Sequence, residues 1–303
     1  MESIVEQRNL NIDGNNIATC IMQNDFLLET FEDNTLLRQQ FVKRFQNQCD
    51  SVVLVASKND YYSYFVFEPN VGGNGTFSLM CGNGLKAAVS MIPKSQVKIK
   101  TPAGMFMAKK SGFDNEIFVG KFVCGNAARQ RFMKSTGQKV LLNTVKQQFA
   151  QNGITYKVDV CLGYNAESSL FIGEPHLAVY FLDPLPIIEM VAIAKKISIL
   201  IRNSDLFTEE VNVTFVSFKS LIDNMCTLAA CTFERNLGNN PDVALTGSCG
   251  TGAMAASNYF YKHALKKRQT EMKFLLDFPK ATLKVSIRKG TTVIFGDTSY
   301  ESF

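Results

Sequence analysis

Two cysteines of the chain stand in the same short motif. Cys81 opens Cys-Gly-Asn-Gly and Cys249 opens Cys-Gly-Thr-Gly, and an alanine-containing segment of helical character follows each. A cysteine at a helix N-terminus meets unpaired N–H groups and a positive partial charge, which favour its thiolate form. One such motif alone would more often be a tight turn with a buried cysteine. Two copies, separated by the length of a domain, favour a functional site.

Paired thiols of this kind can invert an α-carbon. One thiolate would remove the α-proton from one face, and the opposite thiol would deliver a proton to the other face. The helix N–H groups would stabilise the charge that moves into the substrate carboxylate. The two thiols would titrate as a coupled pair. Because this scheme needs neither pyridoxal nor a metal, the motifs predict a cofactor-independent amino-acid racemase or epimerase.

Composition limits the remaining classes of function. The chain has 303 residues, of which 46% are hydrophobic, and a formal net charge of +5 without a dense basic stripe, so we expect no nucleic-acid partner. No secretory signal opens it, and the longest apolar stretch, Ile187 to Ile201, carries three charged residues. We therefore expect no membrane association and a cytoplasmic location with reduced thiols.

Metal binding is not indicated either. The chain has two histidines and no Cys-Xaa-Xaa-Cys pair, so a zinc site is not expected. Most of the other six cysteines have apolar neighbours and are interpreted as small buried hydrophobic residues: Cys20, Cys49, Cys124, Cys161, Cys226 and Cys231.

The hydrophobic patterns predict a mixed α/β chain with more strand than helix. Predicted strands are Tyr62–Glu68, Val97–Thr101, Glu116–Phe122, Leu177–Leu182, Val211–Phe218, Cys226–Glu234, Lys273–Phe278, Leu283–Ile287 and Thr291–Phe295. Predicted helices are Thr35–Asn47, Gly84–Met91, Thr136–Gln151, Ile187–Ile201 and Gly252–Leu265. In each half, strands lead to a cysteine motif and then to a helix, which indicates one internal repeat.

Several ordered segments resemble those of the diaminopimelate epimerase family. They span nearly the whole chain: Asp13-Gly14-Asn15-Asn16, Asn74-Gly75-Thr76, Met80-Cys81-Gly82-Asn83-Gly84, Gly173-Glu174-Pro175-His176, Val211-Asn212-Val213, Phe233-Glu234-Arg235 and Ser248-Cys249-Gly250-Thr251-Gly252-Ala253. The resemblance implies two pseudo-symmetric α/β (α+β) domains with the active site in the cleft between them. It places residues 1–121 plus 291–303 in the domain that carries Cys81, and residues 122–290 in the domain that carries Cys249.

The same resemblance implies roles for individual residues. Cys81 and Cys249 would be the acid/base pair, and no cofactor would be required. The substrate-binding residues would be Asn15, Asn70, Gly82, Asn83, Glu174, Asn212, Glu234, Arg235, Gly250 and Thr251. Among these, Gly82, Asn83, Gly250 and Thr251 would offer backbone N–H groups to the reacting carboxylate. The expected partner is a small amino-acid substrate, and a homodimer is a further expectation.

Departures from the family pattern concentrate on residues expected at the far end of the substrate. Glu174 replaces an asparagine, Ser51 stands where a glutamine is usual, and Leu85-Lys86 replaces a small residue and an arginine. The nearest candidate for another expected asparagine is Asn70, and residues 236–247 form a longer link than is usual. A carboxylate at position 174 would repel a second substrate carboxylate unless it is protonated or paired.

The substrate therefore stays open between several alternatives. Arg235 favours diaminopimelate, whereas Glu174 favours an amino acid with a neutral or cationic side chain, such as histidine. The proline racemase and hydroxyproline epimerase group shares the two-cysteine logic but matches fewer segments. A non-catalytic relative that merely binds amino acids is disfavoured because both cysteines are present.

Overall fold

A computed structural model gives the fold of the chain. It describes residues 4–23, 31, 33–70, 75–111, 114–136, 156–164, 172, 175–202, 211–234, 245–263, 265 and 270–297. These residues divide into two compact units. Unit 1 comprises those within Met1–Val119, Asn165–Gly173 and Val293–Phe303, and unit 2 those within Gly120–Tyr164 and Glu174–Thr292.

Strands dominate the described residues of both units. They are β1 Ile4–Ile12, β2 Asn15–Met22, β3 Ser51–Lys58, β4 Tyr61–Glu68, β5 Thr76–Phe77, β6 Gln96–Thr101, β7 Gly104–Ser111, β8 Asp114–Cys124, β9 Tyr156–Tyr164, β10 His176–Phe181, β11 Asn212–Ile222, β12 Met225–Phe233, β13 Glu271–Asp277, β14 Thr282–Arg288 and β15 Thr291–Asp297. The helices are α1 Thr35–Phe45, α2 Gly82–Met91, α3 Asn126–Thr136, α4 Ile187–Arg202 and α5 Gly250–His263. The fold is therefore mixed α+β, as the sequence predicts.

The two units repeat one strand order. In unit 1 the order is β1-β2-β3-β4-β6-β7, with successive pairs antiparallel, parallel, antiparallel, parallel and antiparallel. In unit 2, β9-β10-β11-β12-β13-β14 follow one another with the same sequence of directions. The cysteine-led helices also correspond, since α2 precedes β6 and α5 precedes β13. The internal repeat predicted from the two motifs is thus present in the topology.

Aromatic residues fill the core of unit 1 beneath helix α1. Phe41 and Phe45 of α1 pack with Phe65 and Phe67 of β4, and Phe31 lies among these rings. Strand β3 is a continuous apolar run that is buried on both faces, so its sequence lacks the alternation of a half-exposed strand. Burial of these large side chains supplies the main favourable term for this unit.

Helix α5 forms the centre of unit 2. It contacts β9, β10, β11, β12 and β14, and its residues from Gly250 to Phe260 are all buried. Small residues cover much of its surface, notably Gly252, Ala253, Ala255 and Ala256. Their small side chains allow the strands to approach the helix backbone closely. The composition of this segment therefore explains how a helix can be enclosed by strands.

Most predicted elements are confirmed, with several additions and one correction. Strands β1, β2, β3, β5, β7 and β9 and helix α3 were not predicted. Helices α2 and α5 each begin two residues before the predicted start, at Gly82 and Gly250. A helix was predicted to start at Thr136, but Thr136 ends α3 instead. The rest of that predicted helix lies outside the described residues. Within the described part of the chain, no helix is long and apolar enough to cross a membrane.

Candidate active site

Cys81 caps helix α2. Its backbone is extended, and its Sγ accepts a hydrogen bond from the N–H of Gly84 at 3.4 Å. The first helical bond runs from the N–H of Leu85 to the carbonyl of Cys81 at 2.9 Å. The N–H groups of Gly82 and Asn83 therefore come before the helical hydrogen-bonding pattern begins. The sulfur and these N–H groups together lie at the positive end of the helix dipole.

Tyr64 of β4 contacts the first turn of helix α2. Its hydroxyl donates to the carbonyl of Cys81 at 3.4 Å. Burial, followed by the neighbouring Cys81, raises the pKa of the Tyr64 hydroxyl, so that it stays protonated beside the thiol. A Cβ added at Gly84 would clash with Tyr64 Oη and would lie 3.1 Å from a methyl group of Val53. Glycine at position 84 is therefore required for close packing of α2 on the sheet.

This contact predicts the effect of Gly84→Ala. Alanine would otherwise favour the helix by about 1 kcal/mol, but the clash with Tyr64 should destabilise the protein by about 1–3 kcal/mol. Adding Tyr64→Phe removes the clashing oxygen, so the double variant should be more stable than Gly84→Ala alone. Urea unfolding of the wild type, the two single variants and the double variant measures this coupling. Additive effects would show that the hydroxyl does not limit the space at position 84.

A buried ion pair connects the same helix to the β1–β2 turn. Lys86 Nζ lies 2.5 Å from Asp13 Oδ2, and the Lys86 side chain is only 1% exposed. Asp13 has a positive φ of 51°, and the N–H of the next residue, Gly14, donates to Asn11 Oδ1 at 2.9 Å. Asn15, a predicted substrate-binding residue, begins β2 directly after this turn. The ion pair therefore fixes Asn15 relative to the helix that Cys81 caps.

Unit 2 repeats the cysteine geometry. Cys249 is buried, and its Sγ accepts a hydrogen bond from the N–H of Gly252 at 3.3 Å. The N–H of Ala253 donates to the carbonyl of Cys249 at 2.8 Å, so the N–H groups of Gly250 and Thr251 again precede the helical pattern. The predicted position of each cysteine at a helix N-terminus is thus confirmed in both units.

A chain of buried side chains extends from Cys249 into unit 2. Cys249 Sγ lies 3.3 Å from Thr251 Oγ1, which lies 3.1 Å from His176 Nε2. His176 Nδ1 lies 2.8 Å from Thr214 Oγ1, and that oxygen lies 2.9 Å from Thr232 Oγ1. Every member can donate or accept, so the chain can be satisfied in either direction. In one direction the Thr251 hydroxyl donates to a thiolate at Cys249, and in the other it accepts a hydrogen bond from a thiol there.

The sheet of unit 2 brings four sequence segments to this position. His176 is in register with Asn212 where β10 and β11 begin, and the N–H of Asn212 donates to the carbonyl of Pro175 at 3.0 Å. Val213 is opposite Phe233, and Glu234 follows directly as β12 ends. The segment before Cys249 pairs with the same end of β12, since the N–H of Thr246 donates to the carbonyl of Thr232 at 3.1 Å.

The predicted site residues fall into four groups. Cys81, Gly82, Asn83 and Asn15 gather in unit 1, whereas Cys249, Gly250, Thr251, Asn212 and Glu234 gather in unit 2. Asn70 lies elsewhere in unit 1, where its side-chain amide accepts from the N–H of Asn47 at 2.7 Å and donates to the carbonyl of Cys49 at 2.8 Å. Glu174 and Arg235 lie outside the described residues.

Four side chains that the structure places next to the predicted site residues were missed by sequence reasoning. They are His176, Tyr64, Lys86 and Asp13, although all but Tyr64 lie in or next to motifs that were noticed. Their roles depend on contacts between segments far apart in the sequence, which no local pattern contains. Within the residues that the structure describes, no cluster of three or more His, Cys, Asp or Glu side chains could hold a metal ion. The six other cysteines are all buried, which confirms their interpretation as core residues.

Comparisons with known proteins bear on the fold. No protein-family profile matches the chain, and no curated protein matches it by sequence. Among solved structures, it is similar to a phenazine biosynthesis protein of the PhzF family from Bacillus anthracis, with a TM-score of 0.56 at 12% identity over 100% of this chain and 99% of that one. A protein from Pseudomonas aeruginosa described as a predicted epimerase gives a TM-score of 0.54 at 9% identity, over 98% and 96% of the two chains.

A third similar structure is a hydroxyproline epimerase from Agrobacterium vitis with bound trans-4-hydroxy-L-proline. Its TM-score is 0.53 at 12% identity, and the match covers 98% of this chain and 90% of that chain. Because the matches extend over nearly the full length of each chain, the fold is that of the PhzF-family and epimerase-like proteins. Diaminopimelate epimerase itself is not among these structures, and identities this low establish the fold alone.

Proposed function

We propose that this protein is a cofactor-independent isomerase that inverts the α-carbon of an amino acid. Cys81 and Cys249 serve as its two acid/base groups. The observation that carries the proposal is that each sulfur caps a helix and accepts an N–H hydrogen bond from the glycine three residues later, in two units of the same topology. The resemblance of the fold to a hydroxyproline epimerase supports it.

The reaction needs stabilisation of the charge that develops as the α-proton leaves. That charge moves into the substrate carboxylate, which accepts hydrogen bonds from the N–H groups of Gly82, Asn83, Gly250 and Thr251. Within each unit the helix fixes its own two donors, so neither pair needs local reorganisation during the reaction. One thiolate takes the α-proton, and the other cysteine, as a thiol, gives a proton to the opposite face of the same carbon.

The side chains behind Cys249 suit both protonation states. When Cys249 is a thiolate, the hydroxyl of Thr251 donates to it, Nε2–H of His176 donates to Thr251, and Thr214 donates to Nδ1. When Cys249 is a thiol, all these bonds can run the other way, and Thr232 then accepts from Thr214. A two-base racemase requires each cysteine to hold both states in turn, and the hydrogen bonds from Cys249 to Thr214 are compatible with both.

We propose diaminopimelate as the substrate, converted from the LL to the meso form. Asn212 and Glu234, which the family resemblance places on the substrate, lie on the same end of the sheet as Cys249. A second candidate is proline or hydroxyproline, which the similarity to the hydroxyproline epimerase favours. A third is an amino acid such as histidine, which Glu174 would favour by its negative charge.

An exchange screen tests both the reaction and the substrate. The reduced protein is incubated in deuterated water with the diaminopimelate stereoisomers, both enantiomers of proline and 4-hydroxyproline, histidine and the other amino acids. We expect deuterium at the α-carbon and the appearance of the opposite configuration with one group of substrates, without added pyridoxal or metal. Exchange with no amino acid would refute the proposed reaction, whereas exchange with another substrate would correct only the substrate.

A further inference from the structure

Cys124 and Cys161 stand directly opposite each other on neighbouring strands. They are partners in the antiparallel β8–β9 register, and their Sγ atoms are 2.7 Å apart. The N–H of Gly125 donates to the carbonyl of Val160 at 3.1 Å, so the next pair along the ladder is hydrogen-bonded. The cysteines therefore occupy a non-hydrogen-bonded position, where facing Cα atoms are about 4.5 Å apart and the side chains are closest. That separation is within the range that a disulfide spans.

Helix α5 covers this thiol pair. Cys161 Sγ lies 3.5 Å from the carbonyl of Ala255, and Lys262 Nζ donates to the carbonyl of Cys124 at 2.6 Å. Tyr259 completes the surrounding cluster. Burial, followed by the neighbouring Cys124, raises the pKa of the Cys161 thiol. The pair thus packs against the helix that Cys249 caps, although the mechanism proposed above makes no use of it.

We propose that Cys124 and Cys161 form a redox-active dithiol that a low-molecular-weight disulfide converts to an intramolecular disulfide. One thiolate attacks glutathione disulfide, which forms a mixed disulfide and releases one glutathione. The second cysteine attacks the protein sulfur of that mixed disulfide and releases the second glutathione. The two protein thiols are oxidised, the glutathione disulfide is reduced to two thiols, and the two thiol protons pass to the released glutathione.

The position of Cys124 gives the oxidant a route. Cys124 is the last residue of β8, and the next residue, Gly125, has a positive φ of 74° and begins a turn. Strand ends open at lower cost than strand interiors, so local opening there exposes Cys124 to the oxidant without global unfolding. The disulfide between Cys124 and Cys161 joins residues that are distant in sequence. Cross-links of this kind lower the conformational entropy of the unfolded chain. Oxidation should therefore raise Tm.

Peptide mapping tests the bond directly. The full chain is incubated overnight in glutathione buffers of increasing oxidation, blocked with an alkylating reagent, and digested with trypsin without reduction. Cleavage yields Phe122–Arg129 with Cys124 as its single cysteine and Val158–Lys195 with Cys161 as its single cysteine, while Cys81 and Cys249 fall in other peptides. We expect a species with the mass of these two peptides less two hydrogens, which disappears after reduction.

Thermal unfolding supplies a second measurement that does not depend on enzymatic activity. Oxidised wild type should melt roughly 5 °C or more above the reduced form. Cys124→Ala and Cys161→Ala should each lose this shift, whereas Cys226→Ala, a matched change at a buried cysteine of β12, should keep it. The proposal would be overturned if Cys124 and Cys161 were alkylated in every glutathione buffer. It would also be overturned if Cys124→Ala kept the rise in Tm on oxidation. Because no step involves a substrate, the result is independent of the proposed isomerase activity.

Discussion

Cys81→Ala and Cys249→Ala should each lower turnover in both directions by about 10²–10⁴-fold, because each removes one of two groups that move the proton. A variant with one remaining base can still exchange the α-proton of one enantiomer with solvent, since that step needs only the base on its own face. The measurement is therefore deuterium incorporation and loss of optical rotation, followed separately for each enantiomer. We expect Cys81→Ala to retain exchange with one configuration of the α-carbon, and Cys249→Ala to retain exchange with the other.

Serine variants separate the chemistry from the fold. Serine is a good helix cap, so Cys81→Ser and Cys249→Ser should keep the hydrogen bonds from Gly84 and Gly252 and unfold like the wild type. A hydroxyl gives almost no anion at neutral pH, so turnover should still be lost. The matched control is Cys226→Ala, which should keep turnover. Near-normal turnover in either Cys81 or Cys249 variant would refute the two-base mechanism.

The cysteine motifs were predictable because their information is local. A cysteine, two glycines and an alanine-containing segment fall within about two helical turns of each other, so the sequence alone indicates a capped helix. The helix starts were displaced by two residues. The predicted helices began at the second glycine of each motif, Gly84 and Gly252, whereas the helices begin at the first, Gly82 and Gly250, which are both buried.

The contacts behind the cysteines could not be predicted in the same way. His176 reaches Thr251 only because β10 pairs in parallel with β11, and β11 in turn pairs with β12. Parallel pairing joins segments that are separated by a helix, and the sequence does not state its register. The same holds for Asn70, whose amide bonds to the backbone of Asn47 and Cys49 in the turn between α1 and β3, contacts that the sequence does not indicate.

The buried pair of Lys86 and Asp13 predicts an unequal response to mutation. The Lys86 side chain is 1% exposed and the Asp13 side chain 23%, so loss of Asp13 leaves the more deeply buried charge. Asp13→Asn should therefore destabilise the protein by about 3–5 kcal/mol, and Lys86→Met by less, because the remaining carboxylate reaches water. Asparagine also tolerates the positive φ at position 13, so the change tests charge rather than backbone strain.

Urea unfolding of the single and double variants measures this order. Asp13→Asn/Lys86→Met should be more stable than Asp13→Asn alone, because no buried charge is left without its partner. Lys98→Met at the exposed Lys98–Asp60 pair is the control and should leave the free energy of unfolding unchanged. Under the proposed function, Lys86→Met should also raise KM more than it lowers kcat, since Asn15 follows the turn that the pair holds. If Lys86→Met proved the more destabilising single change, Asp13 rather than Lys86 would be the charge that depends on its partner.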